Sequence, residues 1–263
     1  MHILNLYLGI TRLCTLECEH CLRGDRRNEN MSLETIANVF KDVKEIDTLL
    51  LTGGEPLLAI KQIKEVLKQI RENNIKVHKT FIITNCTFLN EEIIKLLKEF
   101  SDISKLELAL SYDVFHYVEL KRLKLLKDYI ENTSKYAESV YYDGYYEIHN
   151  KLFREGNAIN LDKNLTVPLK PMKTFATYVG KNNIFDMNNG LCNIGPIVTI
   201  NVDGTITESD ASFKNQNTIY NYGNVLNESI IECLLRNKMK TVKPNKFERK
   251  VNKQIMKYFT YKH

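Results

Sequence analysis

Ile3-Leu4-Asn5-Leu6-Tyr7-Leu8 is a short β-favouring run, and runs of the same kind return at Thr48–Leu51, Thr80–Thr84 and Leu106–Leu110. Between them the apolar residues take helical spacing. Ser32 is placed to cap a helix carrying Ile36, Phe40 and Val43 on one face, and Ile60, Ile63, Leu67 and Ile70 mark a second. Asn90 heads a third helix with Ile93, Leu97 and Phe100, and Leu123, Leu126 and Ile130 define a fourth. Four βα units in succession predict an α/β fold with a parallel sheet covered by helices. Right-handed crossovers reduce the choice to a doubly wound sheet or a barrel, which periodicity does not separate. In both, ligands gather at the C-terminal ends of the strands.

The chain has 263 residues, 43% of them hydrophobic, enough for a sizeable core without disulfides. No apolar run approaches the roughly 18 residues of a membrane span, and Met1-His2-Ile3-Leu4-Asn5 lacks the basic-then-apolar pattern of a secretion signal. The expected location is the cytoplasm, with no membrane partner. Cys14, Cys18 and Cys21 crowd together while Cys86, Cys192 and Cys233 stand singly, a distribution that favours a metal centre over a disulfide framework. The net charge of +5 conceals a basic tail, since Asn237 to His263 carries nine Lys or Arg against one Glu. Such a tail attracts anions, an acidic electron-donor protein among them, or is simply a solvated chain end.

Past about Ser139 the pattern weakens. The tyrosine-rich stretch Tyr141-Tyr142-Asp143-Gly144-Tyr145-Tyr146 is expected to hold one further strand. Ile197–Val202, Asp203-Gly204 and Thr205-Ile206-Thr207 form a hairpin signal, because Asp-Gly suits a tight turn with positive φ.

The cysteine cluster, Cys14-Thr15-Leu16-Glu17-Cys18-Glu19-His20-Cys21, follows the first predicted strand. Soft thiolates select iron-sulfur clusters or zinc. A structural zinc site with His20 as fourth ligand is the alternative, although zinc commonly takes paired C-x2-C knuckles and no second pair exists. Three thiolates leave one iron of a cubane open to a cofactor or substrate, unlike the four-thiolate set of electron-transfer clusters. After the second predicted strand comes Gly53-Gly54-Glu55-Pro56, where a missing Cβ permits close backbone approach. Taken together and in this order, C-x3-C-x-H-C and G-G-E-P resemble the radical S-adenosylmethionine (radical SAM) superfamily.

That resemblance covers about residues 3 to 160 and implies a partial (β/α)6 TIM-like barrel. It implies one [4Fe-4S] cluster on Cys14, Cys18 and Cys21, and S-adenosylmethionine chelated by the open iron. Gly53, Gly54, Glu55 and Pro56 would hold the methionine moiety, with His20 beside the adenine. Thr84-Asn85-Cys86-Thr87 and Ser111-Tyr112-Asp113-Val114-Phe115-His116 fall at the ends of the third and fourth strands and resemble the family's T-N-G and S-x-D-x-x-H elements. They make Asn85, Ser111 and Asp113 candidate cofactor contacts, and Asp113 and His116 candidate catalytic residues. A capped turn is the plainer use of Asp113 and His116, and Cys86 stands where the family has glycine. Arg154-Glu155-Gly156-Asn157-Ala158 resembles a G-R-A element with Asn157 in the arginine position.

More loosely, residues 190 to 235 resemble a twitch or SPASM extension without its auxiliary-cluster cysteines, which adds a small C-terminal β-hairpin/helix extension to the barrel. The expected divisions are a barrel over 1–180, an extension over 181–236 and a tail over 237–263. The implied reaction is reductive cleavage of S-adenosylmethionine, with flavodoxin or ferredoxin as electron donor, to a 5′-deoxyadenosyl radical that abstracts hydrogen. A peptidyl residue is the expected substrate, modified by epimerisation or crosslinking, and Cys192 or Cys86 could return a hydrogen atom to the substrate radical. A small metabolite or nucleotide is the alternative substrate. A non-catalytic metal- or nucleic-acid-binding protein is the alternative of another class, although nucleic acid is not the expected partner.

Overall fold

The computed structural model describes residues 1–24, 26–113, 115–116, 120–143, 152–167, 193–194, 198–207 and 221–236. Five strands, β1 (His2–Thr11), β2 (Glu45–Gly53), β3 (Lys76–Thr84), β4 (Lys105–Ser111) and β5 (Ser139–Asp143), pair in sequence order and all in parallel. The helices α1 (Leu33–Phe40), α2 (Ile60–Glu72), α3 (Glu91–Ser101) and α4 (Leu120–Thr133) fill the intervals, so the chain is a partial TIM-like barrel built of βα units.

The strands read as continuous apolar runs because both faces of a parallel sheet are covered. In β1 eight of the ten residues are buried, and Leu6, Leu8 and Ile10 are fully so, with Leu6 and Leu8 paired in register with Leu49 and Leu51 of β2. Ile82 and Leu108 extend the same row. The helices supply the opposing layer. Ile63, Val66, Leu67 and Ile70 of α2 and Ile93, Leu96, Leu97 and Phe100 of α3 are buried at the spacing of one helical face. Both predicted caps form, with Ser32 Oγ accepting from Thr35 N at 2.9 Å and Asn90 Oδ1 from Ile93 N at 2.9 Å. Val43, expected on α1, lies just past its end and is still fully buried.

The second half contains one surprise. The hairpin over Asp203-Gly204 forms, with Gly204 at φ +83 and its N–H donating to Asn201 O at 2.8 Å. Its strands β9 (Val198–Ile200) and β10 (Thr205–Thr207) are antiparallel, and β11 (Asn221–Asn224) continues them before α5 (Ile230–Arg236). However, β9 also runs parallel beside β1, as does β8 (Asn193–Ile194). The extension expected as an appendage is therefore joined to the edge of the barrel sheet, in the order β11-β10-β9-β1-β2-β3-β4-β5. Among the described residues, the two-residue strands β6 (Leu152–Phe153) and β7 (Thr166–Val167) pair only with each other. The proposed boundary at 180/181 and the tail over 237–263 lie outside the described residues. Among the described residues, no helix is long and apolar enough to cross a membrane.

In this layering Phe100 of α3 is among the largest fully buried side chains. Phe100→Ala is expected to lower the unfolding free energy by about 3–5 kcal/mol, against about 1 kcal/mol for Ser32→Ala, both read by chemical denaturation.

Candidate active site at the strand ends

The loop from Arg12 to Met31 leaves β1 and returns to it. Arg12 N donates to Glu29 O at 2.8 Å, Met31 N to Ile10 O at 2.9 Å and Thr11 Oγ1 to Asn30 Oδ1 at 2.6 Å, so the excursion is closed at its neck. At its tip, turns bond Cys21 N to Cys18 O at 3.2 Å and Gly24 N to Cys21 O at 3.3 Å. Cys14, Cys18 and Cys21 are half-buried and none of them is in a disulfide. Cys14 Sγ accepts from Leu16 N and from Asn85 Nδ2, each at 3.4 Å. Burial pushes the Cys14 thiol up, and the charges of Glu55 and Cys21 add to this against those two hydrogen bonds. Such a sulfur is a protonated thiol on its own and a thiolate once a cation binds, so the donor set fits a soft metal centre.

The turn after β2 lies directly on this loop. Gly54 N donates to Thr11 O at 2.8 Å and Glu55 N to Leu13 O at 2.7 Å. A Cβ on Gly54 would stand 2.1 Å from Leu13 O, and one on Gly53, whose φ is +136, would stand 2.2 Å from Thr11 O. Both glycines are required by backbone packed against backbone, and the close approach visible here is to the chain itself. Pro56 then opens a short 3-10 turn (Pro56–Leu58), where its missing N–H is no loss.

Glu55 is 2% exposed, and its carboxylate faces the protein's own donors: Leu57 N at 3.0 Å, Thr84 Oγ1 at 2.9 Å and Asn85 N at 2.7 Å. It bonds the end of β2 to the end of β3. Beyond Asn85, Cys86 adopts φ +57, the left-handed conformation that glycine takes at least cost, and the cysteine holds the same turn at roughly 1 kcal/mol of strain. Its thiol is fully buried and donates to Thr84 O at 3.5 Å. A sulfur so enclosed packs as core and offers no surface to a substrate radical.

Past β4, Asp113 forms the turn that the plainer reading anticipates. Its Oδ1 accepts from Phe115 N at 2.9 Å, His116 N at 2.9 Å and His116 Nδ1 at 2.8 Å, while Oδ2 stands 3.6 Å from His20 Nε2. Burial alone would push this carboxyl up, but the hydrogen bond from His116 and the nearby His116 and His20 hold it below the usual carboxylate value. His20 reaches it from the cysteine loop. Its ring stacks on Phe115 with centroids 4.8 Å apart and meets His116 edge-on at 4.8 Å. Burial and His116 push His20 down to about 4, which leaves a neutral ring at pH 7, and its buried Nδ1 has no hydrogen-bond partner among the described residues. Ser111 ends β4 beside this group at 9% exposure.

The match to the Radical SAM superfamily model covers residues 8–139, half of the chain, with every strand-end residue from Cys14 to His116 inside it. The chain belongs to the radical SAM superfamily. Its sequence is 26% identical over 108 residues to a provisionally named L-lysine 2,3-aminomutase of Aquifex aeolicus, a match covering 36% of this chain and 29% of that protein. It is 27% identical over 171 residues to an uncharacterized protein of Methanocaldococcus jannaschii, covering 60% and 52%. The matched part is thus about half, or less, of each relative's length. Among solved structures, native anSMEcpe with bound AdoMet and the Kp18Cys peptide superposes with a TM-score of 0.55 at 15% identity, covering 89% of this chain and 80% of that one. At that identity the likeness is one of fold.

Within this radical SAM fold the strand ends bring together Cys14, Cys18, Cys21, His20, Gly53, Gly54, Glu55, Pro56, Asn85, Ser111, Asp113 and His116. Cys192 lies outside the described residues. Cys233 is buried, its Sγ donating to Tyr222 O at 2.7 Å. One contributor is not evident from the cysteine motif: Asn157 donates from its N–H to Cys21 O at 2.9 Å and from Nδ2 to Cys18 O at 3.0 Å. Gly156 beside it, at φ +54, comes so close that a Cβ would lie 2.3 Å from Cys21 O. The signal was the partial likeness of Arg154–Ala158 to G-R-A. Gly54→Ala and Gly156→Ala are each expected to lose most iron uptake on reconstitution, measured as iron per chain. Glu55→Gln, which keeps one acceptor oxygen but abolishes the charge, should lose about 1.5–3 kcal/mol of stability.

Proposed function

We propose that the chain is an enzyme in which Cys14, Cys18 and Cys21 hold a [4Fe-4S] cluster and the adjoining strand ends bind S-adenosylmethionine. The observation that carries this reading is the seam itself: the glycine turn after β2 is bonded to the cysteine loop at Gly54 N–Thr11 O and Glu55 N–Leu13 O. When bound and reduced, the cluster supplies the electron that splits the sulfonium into methionine and a 5′-deoxyadenosyl radical able to take hydrogen from carbon.

The chain's residues bind and orient around that chemistry. The amides of Gly54 and Glu55 already donate within the protein, so the Gly53–Gly54 turn would meet the N–H groups of the cofactor's amino group with carbonyl oxygens, which are acceptors. His20, neutral and stacked on Phe115, is an aromatic shelf for the adenine. Ser111 and Asp113 line the rim toward the ribose, and Asp113 fixes the ring of His116 through Nδ1. Cys192 is the hydrogen donor of choice, since Cys86 is enclosed.

A residue within a peptide is the favoured substrate. It is supported by the fold shared with anSMEcpe, which is described with AdoMet and a peptide bound. A small metabolite is the second reading, favoured by the partial match to a protein named as an L-lysine 2,3-aminomutase. The cytoplasm is the proposed site of action, with flavodoxin or ferredoxin as electron donor; an acidic donor would be drawn to the basic tail.

The test is anaerobic reconstitution with iron and sulfide, then dithionite and S-adenosylmethionine, following 5′-deoxyadenosine. Wild type is expected to form it and Cys18→Ala to form none. A chain that takes zinc in place of iron contradicts the reading. Deuterium carried into 5′-deoxyadenosine from a labelled peptide pool, but not from labelled free amino acids, decides for the peptide.

A further inference from the structure

Asn85 makes a contact that cofactor binding does not explain. Its side-chain amide donates from Nδ2 to Cys14 Sγ at 3.4 Å and to Thr15 Oγ1 at 3.3 Å. Which end of the amide faces the sulfur is settled by the other side, because Oδ1 accepts from Thr87 N at 3.1 Å and from Thr87 Oγ1 at 2.7 Å. A flipped amide would set its NH2 against the Thr87 N–H and lose the bond to sulfur. The residue is held at its backbone too, where Asn85 N donates to the buried carboxylate of Glu55 at 2.7 Å. Thr15 and Thr87 close the ring through their hydroxyls. Asn85 is 7% exposed, so water does little to screen the amide dipole.

We propose that Asn85 is a positioning residue that tunes the cluster's reduction potential, its Nδ2–H donating to the Cys14 sulfur and so favouring the reduced state. The inference rests on the assignment of the cluster to Cys14, Cys18 and Cys21. Its physical basis is that one-electron reduction adds negative charge that spreads onto the cluster sulfurs, and an N–H dipole aimed at a ligating sulfur stabilises the reduced form more than the oxidised. Leu16 N gives Cys14 a backbone bond of the same kind. Of the two donors, only the one from Asn85 can be removed by changing a side chain. The geometry also gives the turn over 85–87 a purpose: the left-handed Cys86 brings Thr87 round to grip Oδ1 and keeps Nδ2 on the sulfur.

The test is an EPR-monitored redox titration of the reconstituted full chain. Asn85→Ala is expected to make reduction about tenfold less favourable, a negative shift of about 59 mV for a one-electron couple. Asn85→Asp, which retains an acceptor for Thr87 but places a carboxylate in the amide's position, is expected to shift further in the same direction. Unchanged potentials in variants that carry a full complement of iron would overturn the proposal. Should the variants hold no cluster, wild type with 15N in its asparagine side chains decides. A hyperfine coupling from 15N to the reduced cluster, absent when only backbone nitrogen is labelled apart from Leu16, supports the bond, and its absence overturns it. Wild type without iron overturns the cluster assignment itself, a result distinct from a cluster whose potential ignores Asn85.

Discussion

Two backbone hydrogen bonds, Gly54 N to Thr11 O and Glu55 N to Leu13 O, join the turn after β2 to the start of the cysteine loop, and the site depends on that seam. Only residues without a Cβ allow it, since a methyl group on Gly53 or Gly54 would stand 2.2 Å or 2.1 Å from a carbonyl oxygen. The seam fixes where the first cysteine sits relative to the second strand. The far side of the loop is fixed in the same way, with Gly156 packed against Cys21 O and Asn157 bonded to the carbonyls of Cys18 and Cys21. The thiols are thus carried on a loop whose polar backbone is held from two directions before any metal binds, which lowers the ordering entropy that binding must overcome.

The second tier is the buried Glu55 carboxylate. A charge taken out of water is tolerated only where it is fully hydrogen-bonded, and Glu55 gathers Leu57 N, Thr84 Oγ1 and Asn85 N around it. Through Asn85 the same network ends on the Cys14 sulfur. The acid of the glycine motif therefore works inward, as the joint between β2 and β3, and reaches the metal site through a neighbour. The histidine pair is organised separately by Asp113, which draws together one ring from the cysteine loop and one from the loop after β4.

Much of this was legible in the sequence, and what was legible is local. The βα units, the Ser32 and Asn90 caps, the cysteine spacing and the Asp203-Gly204 turn are patterns within a few residues, where periodicity and turn chemistry act directly. The pairing of β9 with β1 was not legible, because an alternating apolar pattern tells which face is buried and not which edge is the neighbour. The inward role of Glu55 was missed for a related reason. Its partners Thr84 and Asn85 lie about 30 positions away, and an acidic residue in a glycine turn reads first as a ligand contact. Asn157 is 139 positions from Cys18, and only its resemblance to a known element hinted at it. The Cys86 substitution reads as a departure from the family, yet the left-handed turn it occupies is intact.

The most direct measurement of the central claim is electron-nuclear double resonance on the reduced, reconstituted chain with S-adenosylmethionine labelled in its methionine moiety, 17O in the carboxylate or 15N in the amino group. A cluster held by three thiolates, with one iron open to the cofactor, predicts strong hyperfine coupling from both labels to the cluster. An iron-loaded cluster that shows neither coupling while the cofactor is bound would contradict the account.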